Sequence, residues 1–295
     1  MQKIHIRVLR HSAFYSPLLS TMSAGFLREE GLEAEFSIAD IKQSIEQGIH
    51  DGTVHLAQSA PATSFAYLEK GKTPPYVHFA QINDRDGFFL AGRQPEPGFH
   101  WQNLRGKTVL VDHLFQPLAM FRYVLKQQGI EESDINIVNA GNVAEMDEAF
   151  RNGEGDYVHQ QGPAPQQLEK DGVGHLVAAV GKEIGPVAFS SLCAAPEWLE
   201  TDMAQAFMRA YHNAQHHVLE TPAAQLAREE QEFFPSIDPD VLAETIATYQ
   251  QLGCWQTTAG ISKSSYETLL DVFEYAGQIS QRHAYEKVIA TPFGD

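Results

Sequence analysis

The sequence predicts an α/β protein built as two similar lobes, each a sheet of mainly parallel strands covered by helices. Three observations carry this. The chain has 295 residues, more than one hydrophobic core ordinarily holds. A strand-helix alternation runs through the first third and starts again from Leu104. One passage also occurs twice in altered form: "GTVHLAQSAPATSFAYLEKG" (Gly52 to Gly71) and "GEGDYVHQQGPAPQQLEKDG" (Gly153 to Gly172). In each, a turn, a short apolar stretch and a proline lead to Leu-Glu-Lys, the mark of a third strand-helix unit in two lobes built alike.

"IHIRVLR" alternates Ile4, Ile6 and Val8 with polar residues and reads as a strand running into the polar and aromatic loop "HSAFYSP". In "LLSTMSAGFLREEG" the residues Leu19, Met22 and Phe26 share a helical face and Gly31 supplies the stop, so "LEAEFSIA" follows as a second strand. Asp40 is placed to cap a helix with the stripe Ile41, Ile45 and Ile49. The turn Asp51-Gly52 then returns the chain to "TVHLA", a third strand, and to a helix opening near Pro61. The second lobe repeats the order: "KTVLV" strand, "QPLAMFRYVLKQQG" helix, "INIVN" strand, "AEMDEAFRNG" helix, "GDYVHQ" strand. The Gly- and Pro-rich "AGRQPEPGFHWQNLRG" and the later "GKEIGPVAFSSL" read as crossing segments, near residues 86–104 and 183–195. The lobes are therefore expected at 1–90 plus 190–295 and at 91–189. From Pro196 the pattern is helical, and these helices are expected to cover the first lobe.

Composition narrows the function. A net charge of −17, with no local cluster of Lys or Arg, would repel a phosphate backbone and argues against nucleic acid as a partner. No window approaches the run of about 18 apolar residues that a membrane span needs. "MQKIHIRVLR" lacks the apolar region of a signal peptide. The expected location is periplasmic or membrane-tethered if a leader was trimmed, and cytoplasmic if Met1 is the native start. Cys193 and Cys254 lie far apart without metal-type spacing, and are either buried thiols or one disulfide.

The aromatic-bearing first loop, "GFLREEGLEAEF", "GTVHLAQSAPA" and "LRGKTVLV" together resemble the type II periplasmic binding fold. The resemblance spans nearly the whole chain and is strongest to the family of sulfonate-, nitrate- and thiamine-pyrimidine-binding proteins. It implies a solute-binding protein that closes over a small organic molecule and presents it to an ABC importer, with the permease as partner and neither cofactor nor metal. In such sheets ligands lie beyond the carboxyl ends of the strands. Carrying the family's cleft positions onto matching loops selects His11, Phe14 and Tyr15, then Ser59, and Asp84 and Asp86 near the first crossing. The second lobe contributes Asp112, His113, Phe115 and Gln116, then Asn139 and Asn142, then Gln160 and Gln161. The loop "DHLFQP" departs from relatives that place small hydroxyl residues there to hold an anion. Its aspartate and phenylalanine, with Phe14 and Tyr15, point to a planar, partly apolar ligand, although such rings also pack in cores.

The main alternative is a cytosolic enzyme on the same fold. "GTVHL" resembles a strand of the aromatic sulfinate desulfinases, in which a histidine assists a cysteine of the first loop. Here "HSAFYSP" holds no cysteine, so that nucleophile is missing, and His55, with His11, is the candidate acid or base. His212 and His216 stand one helical turn apart, a spacing suited to a metal, yet no third ligand accompanies them. A solvated helical face accounts for them. The two G-x-G passages lack the third glycine of a dinucleotide site, and no P-loop or G-x-S-x-G elbow occurs.

Overall fold

The structure, a computed structural model, describes residues 1–40 and 42–293. Ile41, assigned to the Asp40-capped helix, lies outside the described residues. The other two members of that stripe, Ile45 and Ile49, are buried in the helix Ile45–His50, whose N-cap is Ser44 rather than Asp40.

Among the described residues, ten strands form two mixed sheets. In chain order they are β1 (Gln2–Val8), β2 (Leu32–Ile38), β3 (Leu56–Ser59), β4 (Val77–Asn83), β5 (Phe88–Gly92), β6 (Thr108–Val111), β7 (Asn136–Val138), β8 (Tyr157–Gln161), β9 (His175–Ala179) and β10 (Ser190–Ala194). The first sheet is ordered β2-β1-β3-β10-β4 and the second β7-β6-β8-β5-β9, so position for position they correspond. The repeated passage supplies β3 and β8, the central strand of each. β1 pairs parallel with β2 and β3, and β6 parallel with β7 and β8. The fourth strand of each sheet, β10 or β5, runs antiparallel to both neighbours, and in each case it has just arrived from the other lobe.

That exchange corrects the expected crossings. The Gly- and Pro-rich passage is a loop within the second lobe, carrying the 3-10 turn Trp101–Leu104. The chain crosses earlier, between Asn83 and Phe88, and returns between Ala179 and Ser190. A boundary after residue 90 passes through β5, which pairs with β8 along its whole length. "TVHLA" also starts late as a strand, at Leu56. The long helix expected from Leu18 breaks in two, Ser16–Ser23 and Phe26–Glu29, because Gly25 takes a left-handed φ of 85°.

Of the C-terminal helices, Asp202–Glu220 and Ala223–Glu230 pack on Ser16–Ser23 of the first lobe. The last two straddle both lobes, contrary to expectation. Pro239–Leu252 touches Ala164–Lys170, and its Tyr249 packs against Phe14 and Phe89 at 4.9 and 5.5 Å. Lys263–Tyr275 inserts Phe273 between Phe65 and Phe115, at 5.3 and 4.9 Å. One apolar cluster consequently runs from Ile4 and Ile6 of the first sheet to Val109 and Val111 of the second. Both cysteines are free and buried within the protein.

The two crossings lie against each other. A Cβ added at Gly181, in the second, would stand 2.1 Å from the carbonyl oxygen of Asp86 in the first. That oxygen is backbone and has no rotamer by which to withdraw. Gly181→Ala is expected to lower stability by about 2 kcal/mol or more, read as a shifted urea midpoint. Gly98→Ala, which meets nothing within 4 Å, serves as the control. Equal midpoints for the two variants would show that the crossings are not locked together.

Candidate functional site

The loops after β1, β3, β6, β7 and β8 face one another across the gap between the sheets, and three adjoining cavities of about 360, 130 and 400 Å³ lie among them. All three share Arg10, two residues beyond the end of β1. Gln58 at the end of β3 fixes that loop, its Oε1 accepting the Leu9 and Arg10 N–H groups at 3.0 and 3.3 Å. The Gln58 amide donates onward to the Ser190 hydroxyl at 3.0 Å, tying β3 to β10.

Arg10 is the only lysine or arginine lining these cavities among the described residues, and Asp112 the only carboxylate. The two come from opposite lobes and form an ion pair at 2.8 Å, with side-chain exposures of 16% and 6%. Arg10 Nη2 faces Asp112 Oδ2 without the alignment of a hydrogen bond, so the contact matches charge with charge. The guanidinium also stands over the Phe88 ring at 5.6 Å. A second bond joins the lobes: the Ser12 hydroxyl donates to the Gly162 carbonyl at 2.5 Å.

The 130 Å³ cavity is the aromatic one, walled by Tyr15, Phe88, Phe115 and Phe189. Tyr15 is 3% exposed, and burial raises its hydroxyl above the usual phenol range, partly offset by Arg10, Gln161 and Ser190. Phe115 is 40% exposed at the mouth. Gln116 donates through Nε2 to the Phe189 carbonyl at 3.0 Å, which fixes its amide and leaves Oε1 as a buried acceptor without a partner. The Gln161 amide is turned toward the Tyr15 hydroxyl, which it helps to hold down. The cavity thus offers ring faces, one free acceptor and the polar edges of Tyr15 and Gln161.

The remaining sequence-selected residues divide. His11 lines the 360 Å³ cavity, stacked on Phe234 at 4.5 Å, and its Nε2–H donates to the Phe233 carbonyl at 2.6 Å. Gln160 lines the same cavity. His113, Asn139 and Asn142 line the 400 Å³ one. There His113 donates from Nδ1 to the Val111 carbonyl, Asn139 accepts from the Gly141 N–H, and Asn142 caps the helix Val143–Arg151. Phe14, Ser59, Asp84 and Asp86 line none of these cavities. Phe14 lies beneath the loop in the core, where Asn83 and Trp255 donate to its carbonyl. Ser59 is buried against Thr63, and Asp84 is a half-buried crossing residue whose carboxyl burial pushes up.

Asp86 sits wholly buried below the cleft, with Oδ1 accepting the Phe88 N–H at 2.6 Å. Burial pushes its carboxyl up to about 8, opposed by that hydrogen bond, so it is protonated at neutral pH. His159, stacked on Phe88 at 4.7 Å, is pushed down to about 3 by burial and is neutral there. Arg10 and Asp112 cancel, and these two neighbours carry no charge.

His55 is elsewhere. It precedes β3, at the amino end of that central strand and away from the cleft, where its Nδ1 accepts the His5 N–H at 2.9 Å and burial lowers its basicity. His212 and His216 are exposed on their helix, and no cluster of three His, Cys, Asp or Glu suited to a metal occurs among the described residues. Sequence reasoning missed Arg10, Gln58, Phe88, Phe189 and Ser190. Arg10 had a signal, a cation at the carboxyl end of the first strand; the phenylalanines had none, since the crossings hid β5 and β10.

Similarity to known proteins agrees with this geometry. Residues 14–225 match the model of a protein family described as NMT1/THI5 like. A Bacillus subtilis (strain 168) protein, YtlA, named as a binding protein of unstated ligand, is 28% identical over 98% of this chain and 88% of its own length. Among solved structures, the ligand-binding component of an ABC-type import system from Staphylococcus aureus, with zinc bound, superposes with a TM-score of 0.77 at 17% identity, covering 99% of this chain and 97% of that one. The alkanesulfonate-binding protein SsuA from Xanthomonas axonopodis pv. citri, bound to MOPS, gives 0.74 at 15% identity over 99% of both chains. The aliphatic sulphonate-binding SsuA of Escherichia coli gives 0.75 at 14%, covering all of this chain and 94% of the other. The fold is that of the periplasmic binding proteins.

Buried ionisable groups give the protein a testable pH profile. Asp86 and Glu230, both held up to about 8 by burial, stay protonated in the folded state while ionising in the unfolded one. Their contribution is complete below the ordinary carboxylate range and is lost as pH rises to about 8. His78 and His159, both near 3, act in the opposite sense, but only below the ordinary histidine value of 6.5. Between pH 6.5 and 8 the carboxylates alone remain, and stability should fall by at most about 1.4 kcal/mol per pH unit for each. Asp86→Asn should remove about half of that slope in urea titrations; an unaltered slope would mean that Asp86 is ionised in the folded protein.

Proposed function

The chain belongs to the NMT1/THI5-like family, and we propose that it is the solute-binding component of an ABC-type importer, closing its lobes over a small, neutral, planar aromatic or heteroaromatic molecule. The observation that carries the reading is the 130 Å³ cavity between the lobes: four aromatic rings wall it, and its one cation is already matched by a carboxylate. Ring faces supply area and stacking geometry without demanding charge. The unspent acceptor of Gln116, with the Tyr15 hydroxyl and the Gln161 amide on the same wall, suits a ring that carries a donor and an acceptor on its edge.

Hinge motion about the adjoining crossings opens and closes such a cleft. Closing it brings Arg10 to Asp112 and Ser12 to Gly162, bonds that span the lobes. The name YtlA and the importer components among the structural neighbours support delivery to a membrane permease on the outer side of a cytoplasmic membrane.

Native mass spectrometry of the purified protein, followed by calorimetry with the molecule found, tests the reading. Phe115→Ala should weaken binding by roughly 1–3 kcal/mol with little change in melting temperature, since this ring stands at the mouth. Tyr15→Ala should weaken binding comparably and also lower the melting temperature. The ligand should be recovered chemically unchanged from wild type and from His55→Ala alike. Product formation that disappears in His55→Ala would sink the transport reading.

A further inference from the structure

We propose that Asp112 is the charge-selecting residue of the cleft: by matching Arg10 it screens anionic solutes out, and its removal converts the site to one that takes sulfonates or carboxylates. The inference rests on the reading of this cleft as the ligand site. Three observations support it. Arg10 is the one permanent cation where the three cavities meet, and it is largely withdrawn from water. Its counter-ion is a single carboxylate brought from the other lobe, itself held in place by accepting the Leu114 N–H at 2.9 Å. Nη2 meets Asp112 Oδ2 at 2.8 Å without the alignment of a hydrogen bond, so what Asp112 supplies to Arg10 is chiefly charge.

The physics follows from the cost of an unpaired buried charge. With Asp112 present, an anion entering beside Arg10 meets a like charge next to it and loses its hydration shell for no net Coulomb gain. With Asp112 replaced by asparagine, the guanidinium is left uncompensated in a site lined mainly by rings and amides. An entering sulfonate or carboxylate then supplies the missing charge and accepts from the guanidinium N–H groups in a charge-assisted bond. Asparagine keeps an oxygen able to accept the Leu114 N–H, so the loop retains its shape. The converse change, Arg10→Gln, leaves the Asp112 carboxylate unmatched and favours a cationic ring.

The test uses the full chain and two probes, methanesulfonate as the anion and N-methylpyridinium as a planar cation, titrated by calorimetry at fixed low ionic strength. Asp112→Asn is expected to bind methanesulfonate at least tenfold more tightly than wild type, about 1.4 kcal/mol. Arg10→Gln should gain no sulfonate affinity and should bind N-methylpyridinium at least tenfold more tightly. The double variant should lose both gains. Sulfonate affinity of folded Asp112→Asn within twofold of wild type, or a gain that persists in the double variant, overturns the inference. If Asp112→Asn does not fold, the Arg10→Gln arm decides alone: no gain in cation affinity overturns it. Flat titrations alongside an intact, Phe115-dependent complex with the neutral ligand reject charge selection and leave the cleft reading standing. Loss of that complex as well rejects both.

Discussion

Each sheet is completed by a strand that has just left the other lobe, and most of the architecture follows from this exchange. β10 lies between β3 and β4, and β5 between β8 and β9, so neither lobe finishes its hydrogen-bonded ladder without a segment delivered through the waist. The two crossings must therefore run side by side. Gly181 is glycine because the Asp86 carbonyl occupies the space where a Cβ would stand. Tyr249, from the straddling helix Pro239–Leu252, closes the waist by accepting the Gly162 N–H and donating to the Gly87 carbonyl, at 2.8 and 3.0 Å. A core that continues through the waist leaves the two crossings as the covalent links between the lobes.

The same geometry sets the electrostatics of the cleft. Parallel strands that end at the gap place their following loops face to face, so Arg10 after β1 meets Asp112 after β6. Below them, burial keeps Asp86 protonated and His159 neutral, since each would otherwise carry an unpaired charge in the apolar waist. A chain with a formal charge of −17 thus surrounds a cavity whose nearest groups sum to zero. The strongly acidic exterior says little about the ligand.

Local pattern and long-range pairing contributed unequally to what could be read. β1 and β2 alternate in and out, and the helices Phe115–Gln127, Val143–Arg151 and Pro239–Leu252 carry apolar stripes bounded by caps or glycine, so they are visible in a short window. β5 and β10 are buried on every residue and show no alternation, which makes "FFLAG" and "SSLCA" indistinguishable from connecting segments. Of the site residues, those in loops after visible strands, such as Tyr15, Asp112, Gln116 and Gln161, do line the cavities. Phe14 was inseparable from Tyr15 by type and spacing, yet it turns into the core under Tyr249.

By itself the sequence determined the α/β class, the doubling of a strand-helix unit, the family and the loops that face the gap. These rest on local periodicity, turn chemistry and a passage written twice. Tertiary structure alone decided which strands the lobes exchange, which aromatic rings face the cavity, and that Arg10 has its charge matched. Each of these depends on residues about a hundred positions apart being brought within bonding distance, and that proximity comes from the cooperative closing of two sheets and their shared waist.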